Sequence, residues 1–235
     1  MNEKVIVALD FENTRRALEF LELFQEQKLF LKVGMELFYA GGSDFLRVLK
    51  EKGHRVFLDL KLHDIPNTVE RTMRVLTRLG VDMVNLHAAG GKAMMEAAVR
   101  GLTRPDGTRP VLLAVTQLTS TDERTLREEL LIPLGMKDAV RHYAATAKAA
   151  GVDGVVCSPL EADAVHRACG QSFLTVTPGV RFAEGDKGDQ CRVTTPAMAK
   201  QMGSDYIVVG RPITAAPDPA AAYARCVEEF VKGGN

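Results

Sequence analysis

The stretch Val56-Phe57-Leu58-Asp59-Leu60 is an apolar run that carries a single carboxylate near its end. Similar short runs, rich in valine, isoleucine and leucine, recur along the chain, and the full set covers residues 5–9, 30–33, 56–60, 83–87, 111–115, 154–157, 173–177 and 206–209. Runs that are almost continuously apolar, rather than alternating with polar residues, are typical of parallel strands covered on both faces. The sequence therefore predicts eight buried parallel strands.

Longer amphipathic segments separate the runs and predict helices over residues 14–27, 67–79 and 136–149. Asn67, followed three residues later by Glu70, predicts a capping box at the start of the second of these helices. Eight strand–helix units in 235 residues amount to about 29 residues per unit, which is typical of a compact (β/α)8 TIM barrel. A doubly wound open sheet usually has a glycine-rich turn after its first strand, and residues 8–12 contain no glycine. We predict one barrel domain over residues 1–235.

Composition excludes several classes of function. The chain carries 30 basic and 30 acidic side chains, so its formal charge is zero, and we expect no broad electrostatic surface for nucleic acid or anionic membrane. The first apolar run ends at Asp10 and is too short for a signal peptide or a membrane span. Cys157, Cys169, Cys191 and Cys226 are far apart without zinc-like spacing, which predicts reduced thiols, no metal site and a cytoplasmic protein.

Polar residues at the carboxyl ends of the predicted strands are the candidates for chemistry, because active sites of such barrels lie there. Asp59 and Lys61 are two residues apart and are expected on the barrel-facing side, since the neighbouring leucines at 58, 60 and 62 need the helix layer. Lys32 on the adjacent strand is expected in the same space, where buried charges require partners. A structural ion pair is the alternative, but barrel interiors are mostly apolar, so we favour a functional cluster.

Asp64 follows in a turn closed by Pro66, and the geometry of its own chain does not aim its carboxylate at Lys61. The residues alone leave two interpretations open, an exposed turn carboxylate and a functional one. His63 and His87 are interpreted as loop histidines rather than bases.

The loops after the last two strands are the recurrent phosphate site of this architecture. They contain Arg181, Gln190, Gly210 and Arg211, where glycine allows close approach of the backbone and arginine offers a planar fork of donors. Residues 182–190 are rich in Gly, Asp and Lys and are interpreted as a loop that closes over a ligand. Thr119, after the fifth strand, is either a ligand contact or a helix cap.

These motifs together resemble the orotidine 5′-monophosphate decarboxylase family, in its shorter bacterial form. The stretch Asp59-Leu-Lys61-Leu-His-Asp64-Ile-Pro-Asn-Thr68 contains the D-x-K-x-x-D core of that family. The resemblance extends along the chain through Val7-Ala-Leu-Asp10, Leu31-Lys-Val-Gly-Met-Glu-Leu-Phe38, His87-Ala-Ala-Gly-Gly91, Val115-Thr-Gln-Leu-Thr-Ser120, Thr175-Val-Thr-Pro-Gly-Val-Arg181 and Ile207-Val-Val-Gly-Arg211.

The resemblance implies a homodimer that converts orotidine monophosphate to uridine monophosphate and CO2 with no metal or organic cofactor. Lys61 would be the cation beside C6 of the pyrimidine and the proton donor to it, held by Asp59 and by Asp64 of the partner subunit. The other implied substrate contacts are Asp10 and Lys32 at the ribose, Thr68 from the partner, Thr119 at the pyrimidine, and Arg181, Gln190, Gly210 and Arg211 at the phosphate.

Two other functions remain possible from the sequence. A Mg²⁺-dependent lyase acting on a sugar phosphate uses the same type of barrel and would need a further acidic ligand, for which Glu36 is available. A non-catalytic barrel that binds pyrimidine nucleotides would explain Gln190 and Arg211 but would leave Lys61 and its carboxylates without a purpose.

Overall fold

The computed structural model describes residues 4–25, 27–184 and 194–233. Within them, parallel strands pair in chain order and close into a barrel in which the last strand also pairs with the first. The strands are β1 (Val5–Ala8), β2 (Phe30–Gly34), β3 (Arg55–Leu62), β4 (Met83–His87), β5 (Val111–Val115), β6 (Gly154–Val156), β7 (Leu174–Thr177) and β8 (Tyr206–Val209). The predicted (β/α)8 TIM barrel is confirmed.

Helices follow the strands and cover the outside of the barrel. They are α1 (Thr14–Glu22), α2 (Met35–Glu51), α3 (Pro66–Leu76), α4 (Gly91–Leu102), α5 (Met136–Ala149), α6 (Pro159–Cys169), α7 (Pro196–Gln201), α8 (Arg211–Thr214) and α9 (Pro219–Lys232). A π-helical turn, Thr125–Glu129, lies between β5 and α5. Among the residues that the structure describes, no helix combines the length and apolar character needed to cross a membrane.

The helix starts show where local sequence signals decided the structure and where they did not. The capping box predicted at Asn67 is wrong, because α3 begins at Pro66 after the N-cap residue Ile65, which makes no side-chain cap. Proline fixes its own φ near the helical value, so it sets the first turn without a cap. The structure has a capping box at Ser158 and Glu161 instead, at the start of α6.

The buried apolar side chains form two groups. The larger group fills the layer between strands and helices and includes Leu58. The smaller group fills the barrel interior and consists of Ile6, Ala8, Phe30, Phe57, Met83, Leu113, Val176 and Val208. Phe57 therefore points inward and Leu58 outward, as the alternation of strand side chains requires. Asp59, next on the inward side, lies where the apolar filling of the barrel ends.

Aspartates close the amino-terminal end of the barrel. One stands immediately before each of β4, β6 and β8 and accepts a hydrogen bond from a backbone N–H of the preceding strand. The pairs are Asp82 with Val56 N (2.8 Å), Asp153 with Leu112 N (2.7 Å) and Asp205 with Thr175 N (2.8 Å). Two of them also hold a cation, Lys50 on Asp82 and Arg109 on Asp153. These carboxylates satisfy backbone donors that the parallel ladder leaves open at this end.

Candidate active site

A row of four side chains with alternating charges lies at the carboxyl-terminal end of the barrel. Lys32 Nζ is 3.1 Å from Asp10 Oδ1 and 3.3 Å from Asp59 Oδ2, and Lys61 Nζ is 2.7 Å from Asp59 Oδ1. Lys32 lies on β2, Asp59 and Lys61 lie on β3, and Asp10 follows the end of β1, because the carboxyl ends of parallel strands meet at one rim. The structure thus brings together Asp10, Lys32, Asp59 and Lys61, as the sequence predicts.

Burial and pairing oppose each other within this cluster. Asp59 is buried, and burial alone would raise the pKa of its carboxyl, but the charges of Lys32 and Lys61 and two side-chain hydrogen bonds outweigh burial and lower that pKa. Burial alone would lower the pKa of Lys32, and the charges of Asp59 and Asp10 outweigh it and raise that pKa. Both groups therefore stay ionised at neutral pH.

Lys61 has an unusual backbone. Its φ is +52°, in the left-handed region that costs a non-glycine residue about 1–2 kcal/mol. The pairing of β3 with β4 is irregular at the same place, since Leu58 is opposite Val84 and Leu62 is opposite Leu86. Four steps along β3 thus match two steps along β4. Lys61 does meet Asp59, but a bulge brings the two side chains together, and the regular alternation assumed from the sequence does not hold there.

Asn85, on β4, is a site residue that the sequence analysis did not select. Its side chain is buried, with an exposed fraction of 1%. Its amide nitrogen donates to Asp59 Oδ1 at 2.6 Å, and its amide oxygen accepts from the backbone N–H of Lys61 at 2.8 Å. An asparagine in the otherwise apolar run 83–86 was the available signal, because a buried amide needs partners.

A cavity of about 240 Å³ opens above the charged cluster. Its lining combines charged and polar side chains with apolar ones, which suits a flat heterocycle with polar edges. The lining residues are Lys32, Phe57, Asp59, Lys61, Val115, Gln117, Leu118, Thr119, Ser120, Val156, Cys157, Pro178 and Val208. Thr119 is a buried residue of this wall. Gln117 is a further buried polar residue of the wall that the sequence analysis did not select.

The predicted phosphate residues occupy the loops after β7 and β8. Arg211 is exposed and begins α8, directly after Gly210. A Cβ atom on Gly210 would lie 3.4 Å from Asp10 Oδ2, so this glycine stands beside the charged cluster. Arg181 is buried, and its guanidinium donates to the carbonyl of Val180 at 2.9 Å.

Part of the predicted phosphate end cannot be placed. Gln190 lies outside the described residues, as do positions 185–190 of the loop predicted to close over a ligand. The described segments on either side of that loop are joined, because Arg181 N donates to Thr194 O at 2.9 Å.

Asp64 and Thr68 make no ion pair or hydrogen bond with Lys32 or Lys61 within the residues that the structure describes. Both are exposed, and Asp64 Oδ1 accepts from the backbone N–H of Ile65 at 2.6 Å. Nearby, the rings of His63 and His87 are 5.6 Å apart. Burial, His63 and Lys61 lower the pKa of His87, so that its ring is neutral at pH 7.

Comparisons with known proteins cover nearly the whole chain. A family model described as "Orotidine 5'-phosphate decarboxylase / HUMPS family" matches residues 3–226. The chain is 56% identical to an orotidine 5'-phosphate decarboxylase of Geobacillus thermodenitrificans, with 99% of each chain covered, and 58% identical to one of Halalkalibacterium halodurans, with 95% of this chain and 96% of the relative covered. A crystal structure of orotidine 5'-phosphate decarboxylase from Lactobacillus acidophilus superposes with a TM-score of 0.87 at 45% identity, covering 97% of this chain and 99% of that one.

Proposed function

The chain belongs to the orotidine 5'-phosphate decarboxylase family and decarboxylates orotidine 5'-phosphate in pyrimidine biosynthesis, and from this premise we propose which residues perform the reaction. The observation that carries the proposal is the row of alternating charges Asp10–Lys32–Asp59–Lys61, of which the last three line the cavity. In this assignment the pyrimidine ring occupies the cavity with its C6 carboxylate toward Lys61. The whole of residues 1–235 acts as one barrel domain.

The chemistry explains why a cation is needed at C6. When the bond to CO2 breaks, the electron pair stays on C6 in an orbital within the ring plane, where the π system cannot delocalise it. Stabilisation must then come from a charge held in place before the reaction, because a preorganised group need not reorganise as the anion forms. Lys61 supplies that charge, and its ammonium then gives a proton to C6 to form the product.

Asp59 and Lys32 hold the ammonium of Lys61 in position. Asp59 Oδ1 is 2.7 Å from Lys61 Nζ, and Lys32 neutralises the other oxygen of the same carboxylate. Since each of the four charges in this cluster has a neighbour of opposite sign, the cluster can stay ionised when the substrate excludes water. Asp10 and Lys32 also contact the ribose in this assignment.

Phosphate binding is assigned to the loops after β7 and β8. Arg181, Gln190, Gly210 and Arg211 form this end of the site, and Thr119 contacts the pyrimidine from the opposite wall. Binding energy from the phosphate can contribute to the rate at the distant C6. Arg211 supports this assignment because it is exposed at the start of α8, beside Gly210 and the charged cluster.

We assign a homodimer in which Asp64 and Thr68 enter the site of the partner subunit. Both side chains are exposed in a single chain, as is Ile65 between them at 65%, so this turn is accessible to a second subunit. A carboxylate from the partner would be the second acidic neighbour of Lys61, after Asp59, and would extend the alternation of charges.

Subunit sharing can be tested by mixing two inactive variants. Protomers with Asp64→Ala and protomers with Lys61→Ala should each form inactive homodimers. In a mixed dimer, one of the two sites contains both Lys61 and the partner's Asp64. If the aspartate crosses the interface, we therefore expect each mixed dimer to have about half the activity of the unsubstituted dimer. Mixed dimers as inactive as the parents would contradict the sharing.

The reaction is proposed to need no metal or organic cofactor. Both oxygens of Asp59 face lysine ammonium groups, so a divalent cation would have to displace Lys32 or Lys61 to bind there. Glu36, the extra ligand that a Mg²⁺-dependent lyase would use, is exposed on the first turn of α2. We also propose a cytoplasmic location, supported by the free and buried thiols of Cys169 and Cys226, which suit a reducing compartment.

One assay tests the function. The purified protein is mixed with orotidine 5'-phosphate, with and without a chelator, and the ultraviolet absorbance of the substrate is followed. We expect turnover that is unchanged by the chelator. Turnover abolished by the chelator would favour the metal-dependent lyase, and saturable binding without any loss of substrate would favour a nucleotide-binding protein.

A further inference from the structure

We propose that Asn85 is a positioning residue for the reaction, and that it sets both the backbone of Lys61 and the orientation of the Asp59 carboxylate. The inference rests on the proposed function, since it assigns Asn85 a role through the two residues placed at C6. Asn85 itself lies outside the set of residues that line the cavity. Its effect is therefore exerted through other side chains and not by contact with the substrate.

The two hydrogen bonds of Asn85 fix the orientation of its amide group. The backbone nitrogen of Lys61 can only donate, so the atom of Asn85 that faces it at 2.8 Å is the oxygen. The amide NH2 is then directed at Asp59 Oδ1, 2.6 Å away, where the ionised carboxylate can only accept. Both contacts are satisfied by one rotamer, and turning the amide over would break both.

The bond to Lys61 stabilises the bulge in β3. The regular pairing with β4 is interrupted between Leu58 and Leu62, and the backbone N–H of Lys61 falls inside that interruption. The side-chain oxygen of Asn85 accepts this N–H in place of a main-chain carbonyl. Lys61 can therefore hold its φ of +52°, which is unfavourable for lysine, without leaving a buried donor unpaired.

The bond to Asp59 completes the set of donors around the carboxylate. Oδ1 receives both Lys61 Nζ and Asn85 Nδ2, whereas Oδ2 faces Lys32 Nζ. With a donor from a third strand, the carboxylate plane is fixed against rotation, and the ammonium of Lys61 is fixed with it. A small displacement of that ammonium would matter, because electrostatic stabilisation depends on where the charge stands before the reaction.

Neither aspartate nor leucine at position 85 does both tasks at neutral pH. Aspartate could accept from Lys61 N but could donate to Asp59 only when protonated, and leucine could do neither. The other charged or titratable groups near this point are Lys32 and Lys61, which contact Asp59. Beyond them are Asp10, which contacts Lys32, and His87, which interacts electrostatically with Asp59, Lys61 and His63. The pair of carboxylates in Asn85→Asp would share a proton, so that the pKa of one of them is raised.

The first test compares Asn85→Ala with Thr175→Val. Thr175 is a matched control, because it is equally buried and its hydroxyl makes side-chain hydrogen bonds at the opposite end of the barrel. For Asn85→Ala we expect kcat to fall by about 100-fold or more, with the Kd for uridine 5'-phosphate changed less than about 3-fold. For Thr175→Val we expect a lower thermal midpoint and kcat within about 2-fold of the unsubstituted protein.

The second test uses Asn85→Asp, which keeps the size of the side chain and guards against a failure of the alanine variant to fold. Its kcat relative to the unsubstituted protein should rise as the pH falls, because the protonated carboxyl can donate to Asp59 as the amide does. Parallel pH profiles for the two proteins would overturn the proposal. It would also be overturned by an Asn85→Ala protein with kcat within about 3-fold of the original, or by equal losses in Asn85→Ala and Thr175→Val. Failure of the unsubstituted protein to consume orotidine 5'-phosphate would instead overturn the proposed function.

Discussion

The two ends of the barrel contain the same type of ion pair, a lysine with an aspartate, but the pairs have different surroundings. At the amino-terminal end, Lys50 Nζ is 2.6 Å from Asp82, and at the carboxyl-terminal end, Lys61 Nζ is 2.7 Å from Asp59. Asp82 also accepts a hydrogen bond from the backbone N–H of Val56 on β3, and this bond links the start of β4 to β3. Within the part of the chain that the structure describes, Asp59 accepts from no backbone N–H, and its partners are the side chains of Lys32, Lys61 and Asn85.

Burial separates the two pairs further. The Asp82 side chain is 27% exposed, whereas that of Asp59 is 9% exposed and lies under a cavity. A half-buried carboxylate that caps a strand contributes to folding, while a buried one surrounded by ammonium groups on the side of an open cavity is available to a ligand. A charge pair is therefore a functional candidate because of what else it contacts and what space it faces.

The largest expected contrast is between the two lysines. Replacing Lys61 by alanine should lower turnover by at least about 10⁴-fold, since it removes both the cation and the proton donor at C6, with a much smaller effect on uridine 5'-phosphate affinity. Replacing Lys50 by alanine should change turnover by less than about 2-fold. Turnover and product affinity of both variants provide the measurement, and near-normal turnover of Lys61→Ala would remove Lys61 from the mechanism.

Substitution of Asp59 should mainly affect activity, whereas substitution of Asp82 should mainly affect stability. Asp59→Asn should lower kcat by about 10²–10³-fold, because Lys61 loses the charge that holds it in position. Asp82→Asn should leave kcat nearly unchanged but lower the free energy of unfolding by about 1–3 kcal/mol, because an amide serves Val56 N and Lys50 poorly. Kinetics and denaturant unfolding on both proteins test this division. Similar losses of kcat in the two variants would show that the ends of the barrel are not functionally distinct.

Arginines offer a smaller contrast of the same kind. Arg211→Ala should lower kcat/KM by about 10–100-fold, the loss expected for one charged hydrogen bond to phosphate. Arg109, which pairs with Asp153 at the amino-terminal end, is the matched control, and Arg109→Ala should affect unfolding rather than kcat/KM. Unchanged kcat/KM in Arg211→Ala would dismiss the assignment of the phosphate end.

The smallest effect is the pH dependence of stability. The pKa of Asp59 is lowered in the folded chain, so its ionised form stabilises the fold above the ordinary aspartate pKa, and that contribution is lost as the pH falls through the lowered value. The stability of the unsubstituted protein relative to Asp59→Asn should therefore be constant from about pH 5 to 8 and decline below about pH 4, by no more than about 1.4 kcal/mol per pH unit. A difference that grows on acidification would reverse the assigned direction of the pKa.

Much of the fold could be predicted from local pattern. The expected limits of β4, β5 and β8 and of the helix Met136–Ala149 agree with the structure, because continuous apolar runs and amphipathic periods depend on few neighbours. The helix predicted over residues 14–27 is shorter and ends at Glu22. Helix ends are set by tertiary contacts as well as by propensity, so they are the least predictable part of such patterns.

The sequence by itself determined that Lys32, Asp59 and Lys61 would lie at one rim of a barrel, because strand order and burial of the apolar runs leave these charges no other low-energy place. Only the tertiary structure decided that a bulge, a left-handed lysine and Asn85 would bring the charges to bonding distance. The reason is physical. Apolar periodicity is a property of one segment, whereas a buried hydrogen bond between two strands exists only after both have been placed.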